Sequence, residues 1–243
     1  MSEALIEARN VTRILPGIVP TTLVRNINLA IAPREFVAIT GPSGSGKSSL
    51  LYLLGLLDLP TEGEVLIDGR ATARMDENER AETRLSQLGF VFQFHFLLPE
   101  FTVAENVALP MRALGRLSPA EIKERADDLL ASLGLADHRR KMPDQISGGQ
   151  RQRVAVARAL ANEPAVILAD EPTGSLDSRS SEQVFALLRH LVDALGKTVV
   201  AVTHDLHLAA SMDRQIQLAD GAIVGEQGRD LRDRMSIAAP KSD

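Results

Sequence analysis

Gly41-Pro42-Ser43-Gly44-Ser45-Gly46-Lys47-Ser48 decides how the rest of this chain is read. Ahead of it lies Phe36-Val37-Ala38-Ile39-Thr40, an apolar and β-branched run that reads as a buried strand. Behind it, Ser49-Leu50-Leu51-Tyr52-Leu53-Leu54 reads as the start of a helix. Strand, glycine-rich loop and helix form the setting a phosphate-binding loop requires. The glycines let backbone N–H groups turn inward around phosphate oxygens, and the helix beginning near Lys47 points its partly positive end at the same anion. Lys47 would neutralise β and γ phosphates. The Ser48 hydroxyl is placed to ligate Mg²⁺, a hard cation that keeps several waters and takes few protein oxygens. A flexible glycine-serine turn could carry the same pattern, but the strand before and the helix after favour a nucleoside triphosphate site. The candidate phosphate-binding set is Gly41, Pro42, Ser43, Gly44, Ser45, Gly46, Lys47, Ser48 and Ser49.

Upstream of the loop, Ala4 to Val11 and Ile27 to Ile31 alternate apolar and polar residues as strands of a half-buried sheet do, with a turn-rich loop from Leu15 to Pro20 between them. Downstream, Glu64 to Ile67 reads as a strand, Asp68-Gly69 as a hairpin turn, and Asp76 to Leu85 as a helix. Gly89 to Phe101 holds five of the chain's seven phenylalanines, so something apolar must cover it. Thr102 to Gly115 and Ser118 to Gly134 read as helices, the second opened by the capping box Ser118-Pro119-Ala120-Glu121, and together they make an all-helical insert. Arg151 to Ala161 is a helix with a narrow small-residue face at Val154, Ala155, Ala157, Arg158 and Ala161. Ala165 to Asp170 and Thr198 to Thr203 are apolar strands, Ser181 to Leu195 is an amphipathic helix, and Asp205 to Met212 a short one. A last strand pair, Gln215 to Val224, turns at Asp220-Gly221.

This alternation predicts an α/β fold: a mostly parallel central sheet with helices on both faces, an N-terminal antiparallel β part and a helical subdomain at about 94–161. Residues 1–225 read as one domain, and 226–243 as a polar, loosely ordered tail. Thr40, Gln93, Asp170 and His204 each follow a predicted strand, so four segments deliver polar residues to one sheet edge. Asp170 and Glu171 stand where a second Mg²⁺ contact and a base for an attacking water are needed. In isolation they read equally as a solvated loop start or a helix cap; with the phosphate loop in the same sheet, Glu171 reads as the general base. Gln93 has an amide that can touch Mg²⁺ or the lytic water, and His204 can contact a γ-phosphate. Each alone would be an ordinary loop or cap residue.

Composition adds little. The chain has 243 residues, is 44% hydrophobic and 24% charged, and carries a formal net charge of −5, which gives no electrostatic reason to expect nucleic acid as a partner. Cysteine is absent, which suits a reducing compartment. Neither a membrane-spanning run nor a secretory leader is recognisable, so a cytosolic protein is expected.

Taken together, Gly41 to Ser48, Gln93, Ile146-Ser147-Gly148-Gly149-Gln150, Val166 to Glu171, Ser175-Leu176-Asp177 and His204 stand in the order of an ATP-binding-cassette ATPase. The chain resembles that family over nearly its whole length. The resemblance implies ATP and Mg²⁺ as cofactors, with Ser48, Gln93 and Asp170 around the metal. It implies that Ser147 and Gly149, flanked by Gly148 and Gln150, bind the γ-phosphate of ATP held by the loop of a second, identical subunit, with Asp177 communicating between the two sites. A helix start carrying Ser147-Gly148-Gly149 is itself suited to an anion. Leu88 to Pro110 and Ala169 to Asp177 are similar to the branch containing lipoprotein-releasing and macrolide-exporter-type transporters. Gln93-Phe94-His95, Leu97-Leu98-Pro99 and Thr203-His204-Asp205-Leu206 look most like its lipoprotein-releasing members. That branch implies a peripheral subunit at the cytoplasmic face of a bacterial inner membrane, touching a permease through Phe94 to Phe101, with Phe90 and Phe92 turned inward.

The work expected is lipoprotein release. Alternatives are a related permease for peptide or drug efflux or for cell-division signalling, and a non-transport cassette acting on DNA or ribosomes. A phosphoryl-transferring kinase or synthetase would leave Ser147 to Gln150 unexplained. One departure stands out: the family often stacks adenine on an aromatic residue after the first strand, and no aromatic precedes Phe36 here. Leu15 is the expected residue at that position.

Overall fold

The structure, a computed structural model, describes residues 4–228. Alternating burial makes the first hairpin: β1 (Ile6–Leu15) pairs antiparallel with β2 (Thr21–Ile31), Ile6 lying opposite Ile31. Ile6, Ala8 and Val11 turn inward from one strand, and Val24, Ile27, Leu29 and Ile31 from the other. Asn10 and Asn26, at φ 51° and 47°, sit where the register shifts, a conformation that asparagine tolerates better than most residues. β3 (Phe36–Thr40) is buried along its whole length and runs through the glycine loop into α1 (Lys47–Leu54). β4 (Glu62–Ile67) returns to pair with β1, and Asp68-Gly69 turns it into the two-residue β5 (Arg70–Ala71). Both turn residues have positive φ, 49° and 71°, as a two-residue hairpin turn of the primed type demands.

α2 (Glu77–Gln87) leads into β6 (Leu88–Phe92), and α3 (Val103–Leu114), α4 (Pro119–Ser132) and α5 (Gly148–Leu160) follow. All four helices open with a reciprocal capping box, from Asp76, Thr102, Ser118 and Ser147 respectively. The chain closes with β7 (Val166–Asp170), α6 (Ser178–Asp193), β8 (Thr198–Val202), α7 (Leu206–Ala210), β9 (Arg214–Ala219) and β10 (Ala222–Gly228). The central sheet has the order β10-β9-β3-β8-β7-β6. It is parallel except for the edge strand β10, and the second sheet is the antiparallel β2-β1-β4-β5.

Three cores hold these layers. The first joins both sheets through α1, whose Leu50, Leu51, Leu53 and Leu54 meet Ile6, Ile27, Val37 and Leu168. The second lies on the other sheet face, where Ile167 and Val199 pack against Val184, Leu188 and Leu191 of α6 and Val156 of α5. The third fills the helical insert with Val103, Val107, Met111, Leu130 and Val154. Periodicity predicted one small-residue face for α5. Instead it is buried on two sides, Val156 and Leu160 toward the sheet and Val154, Ala157 and Ala161 toward the insert. Small side chains let it approach so closely that a Cβ on Gly89 of β6 would come 2.4 Å from the Ala159 carbonyl.

One further expectation is corrected. Polar residues after Gly225 do not end the last strand: Glu226, Gln227 and Gly228 pair with Ile216, Gln215 and Arg214 of β9, since an edge strand needs backbone partners and not an apolar face. The remainder of the expected tail, 229–243, lies outside the described residues. The aromatic run divides near the expected place. Phe90 packs on the first core and Phe92 stacks on it, while Phe94, Phe96 and Leu98 are exposed and Phe101 is half-buried, so the exposed patch ends short of Phe101. Among the described residues no helix is long and apolar enough to cross a membrane.

Candidate active site

Because β3, β8, β7 and β6 are parallel neighbours, their C-terminal ends meet at one edge. A cavity of about 560 Å³ opens there. The loop after β3 forms its floor. Gly46 adopts φ 96°, and a Cβ there would lie 2.3 Å from the Leu23 carbonyl of β2, so the antiparallel sheet admits only glycine at this point. Gly44, at φ 77°, faces open space. No side chain caps α1, which leaves its first amides directed at the cavity edge. Lys47 folds back on the loop, its ammonium donating to the Gly41 and Pro42 carbonyls at 3.0 and 2.8 Å. Ser45 Oγ is buried beneath the loop with no partner.

Asp170 ends β7 with 8% exposure and accepts two hydrogen bonds, one from Ser48 Oγ to Oδ1 and one from the Tyr52 hydroxyl to Oδ2, each 2.9 Å long. Burial, and then the Asp170 carboxylate beside it, pushes the Tyr52 phenol up to about 12, so it is a donor throughout the physiological range. Glu171 follows in the left-handed region at φ 49°, its N–H bonded to the Val202 carbonyl of β8. This turn sends its carboxylate toward the cavity, where Nδ1 of the exposed His204 hydrogen-bonds it. Gln93 lines the same space, with its amide against Gly174, where a Cβ would come within 3.0 Å.

Ser43, Gly44, Gly46, Lys47, Ser48, Ser49, Gln93, Asp170 and Glu171 thus line one cavity, with His204 attached through Glu171. Gly41, Pro42 and Ser45 form the inner turn. Leu15 is not among the lining residues. It is 40% exposed and pairs across the hairpin with Thr21, which is on the rim. Tyr52 and the rim residues Thr21, Thr22 and Leu23 escaped the sequence analysis. Tyr52 had a signal: it stands four residues after Ser48, hence on the same face of α1. The arrangement suits the expected ligands. Uncapped helix amides and an ammonium fit a polyphosphate, and the oxygens of Ser48, Gln93 and Asp170 are the hard donors that Mg²⁺ accepts alongside water and phosphate.

Ser147, Gly148, Gly149, Gln150 and Asp177 are not in this cavity. Ser147 caps α5, its Oγ accepting from the Gln150 N–H at 3.2 Å while its own N–H donates to Gln150 Oε1 at 2.8 Å. Asp177 caps α6, and hydrogen bonds from the Ser180 N–H and hydroxyl hold its carboxyl below the usual value. The two helix starts touch: a Cβ on Gly149 would lie 2.8 Å from Ser180 Oγ. The segment after Gln93 is fastened to α5 as well. Gln152 donates to the Phe92 carbonyl and Arg158 to those of His95 and Phe96. Burial, more than the nearby Arg151, pushes the His95 imidazole below its ordinary value. The cavity and the α5–α6 corner are therefore two separate polar surfaces tied through residues 92–96.

Known proteins resemble this chain in sequence and in fold. The sequence model of the ABC transporter family matches residues 24–174. The lipoprotein-releasing system ATP-binding protein LolD 1 of Chlorobium chlorochromatii (strain CaD3) is 51% identical over 216 residues, which span 89% of this chain and 87% of that protein. Among solved structures, a dimeric ATP-binding cassette in a post-hydrolysis state with ADP and Pi superposes with TM-score 0.85 at 45% identity, over 92% of this chain and 98% of its own. The cbiO1 protein from Clostridium perfringens, part of the ABC transporter complex cbiONQ, gives TM-score 0.83 at 26% identity, over 93% of this chain and 89% of its own.

The contact at the α5–α6 corner makes a stability prediction. Gly149→Ala is expected to lose about 1–3 kcal/mol of unfolding free energy through overpacking. Ser180→Gly in the same chain, which removes the atoms it meets, should recover most of that, with a coupling of at least about 0.5 kcal/mol. Urea midpoints of the four proteins read the cycle, and strict additivity would mean that the two helix starts do not press on each other.

Proposed function

The chain belongs to the ABC transporter family and is an ATP-binding, ATP-hydrolysing ATPase; from that premise we propose that it works as a pair of identical subunits driving a lipoprotein-releasing permease from the cytoplasmic face of a bacterial inner membrane. The observation that carries the pairing is the division of polar groups between two surfaces. One chain offers a phosphate cavity with Lys47, Ser48, Asp170 and Glu171, while Ser147 and Gly149 lie outside it. Two chains facing each other would close each cavity with the partner's α5 start. A relative solved as a dimer with ADP and Pi supports that reading.

On this reading Lys47 exchanges the Gly41 and Pro42 carbonyls for phosphate oxygens. Mg²⁺ would be held by Ser48, with Gln93 and Asp170 nearby, and would neutralise charge on the β and γ phosphates. Glu171 takes the proton of the attacking water. His204, already hydrogen-bonded to that carboxylate, holds it toward the reacting oxygen and reaches the γ-phosphate. Losing the γ-phosphate removes charge between the halves and lets them part. The exposed Phe94, Phe96 and Leu98, at 64%, 61% and 43%, are the proposed seat of a permease helix. The lipoprotein assignment rests on the identity to the Chlorobium protein.

Glu171→Gln is expected to bind MgATP, accumulate as a dimer on size exclusion, and hydrolyse at least about 100-fold more slowly. Rapid turnover by that variant would remove Glu171 from the role of base. Leu15→Tyr places an aromatic beside the Thr21 rim, and base stacking of about 1–3 kcal/mol should raise ATP affinity and preference for ATP over GTP roughly 5-fold or more. Unchanged affinity and preference would take Leu15 away from the nucleobase. Purification of the chain from its native membranes in mild detergent should bring down a permease with a large extracytoplasmic domain. Recovery of a nucleic-acid or soluble partner instead would overturn the transport reading while leaving the ATPase intact.

A further inference from the structure

We propose that Tyr52 is a positioning residue of the metal site, whose phenol sets the plane of the Asp170 carboxylate and thereby the direction in which Ser48 presents its lone pairs. The inference rests on the place given above to Ser48 and Asp170 around Mg²⁺.

The chemistry follows from who donates to whom. Ser48 gives its proton to Oδ1 of Asp170, which leaves the oxygen lone pairs of the hydroxyl free to face the cavity. A hydroxyl ligates a hard cation through those lone pairs, so the acceptor of its proton decides where they point. That acceptor must itself be fixed. Oδ2 of Asp170 is held by the Tyr52 hydroxyl at 2.9 Å. Without that bond the carboxylate could rotate about its last torsion and carry the Ser48 hydroxyl with it.

The surroundings make Tyr52 a stiff brace. Ser48 and Tyr52 stand one turn apart on α1, a helix buried through its leucines, so the two donors keep a constant spacing. The Tyr52 ring meets the edge of Phe92 with centroids 6.5 Å apart at 67°. Phe92 is the residue that pairs with Asp170 between β6 and β7, so carboxylate, phenol and aromatic support are registered by the same strand pair. Groups behind a metal's ligands orient them, and their loss commonly costs metal affinity even though they never touch the ion.

The sequence provides its own reporter, because the chain holds one tyrosine and no tryptophan. Its ultraviolet emission therefore comes from Tyr52, and a phenol hydrogen-bonded to a carboxylate is quenched. In the protein free of metal and nucleotide, Asp170→Asn should brighten tyrosine emission. Tyr52→Phe keeps the ring and its packing on Phe92 and removes only the donor. That variant should need about 10-fold more Mg²⁺ for half-maximal ATP hydrolysis, with the rate at saturating Mg²⁺ within about 2-fold of the unmodified chain. Unchanged emission in Asp170→Asn, or a Tyr52→Phe protein that titrates with Mg²⁺ as the unmodified chain does while Asp170→Asn is shifted, overturns the role of Tyr52 alone. If Asp170→Asn also titrates unchanged, Asp170 leaves the metal site and this inference falls with it.

Discussion

Leu50, Leu51, Leu53 and Leu54 of α1 are each at most 1% exposed, so two sheets close on one short helix. Burying such side chains is worth roughly 1.5–3 kcal/mol each relative to leaving them in water. A helix gripped on so many sides cannot rotate or slide without opening both sheets. Its one free end is the N-terminus, where the amides have no cap, and that end meets the edge at which the parallel strands finish. Gly46 shows how tight the grip is, since the Leu23 carbonyl of the antiparallel sheet leaves no room for a side chain there. The cavity is thus a by-product of how the core is packed.

A similar economy governs α5. Its small residues allow it to press on β6 while its other side completes the core of the helical insert. Gln152 and Arg158 of this helix also hold the carbonyls of Phe92, His95 and Phe96, so the segment carrying Gln93 moves with α5 or not at all. The exposed aromatics sit on that same segment. A partner leaning on Phe94 and Phe96 would push on a strand whose neighbouring position, through Phe92 and Tyr52, reaches Asp170. The proposed permease seat and the proposed metal site are in this way two ends of one packed column of rings.

The distribution of polar groups is what the proposed pairing rests on. The cavity of one chain supplies an ammonium, helix amides and the Glu171 carboxylate. The Ser147 and Asp177 caps, which could close a cavity, spend their side chains on their own helices and face elsewhere. In the proposed pair, closure around ATP would bring a helix N-terminus to the γ-phosphate, and hydrolysis would remove the charge that drew it there. On that proposal, ATP couples to movement through the change in charge between two rigid surfaces.

Much of this was legible in the chain itself, because it is local. The strand, loop and helix around Lys47, the capping box at Ser118, the Asp68-Gly69 turn and the buried strands Val166–Asp170 and Thr198–Val202 each depend on residues within a few positions of one another. Backbone sterics and hydrophobic period act at that range. The family motifs likewise fixed which residues to look for. Contacts between distant segments had no such signature. The second buried face of α5, the bond between Tyr52 and Asp170, the contact of Gly149 with Ser180, and the continuation of β10 to Gly228 are set by which elements become neighbours. That choice is made by the joint burial of apolar surface across the whole chain, so no window of sequence contains it.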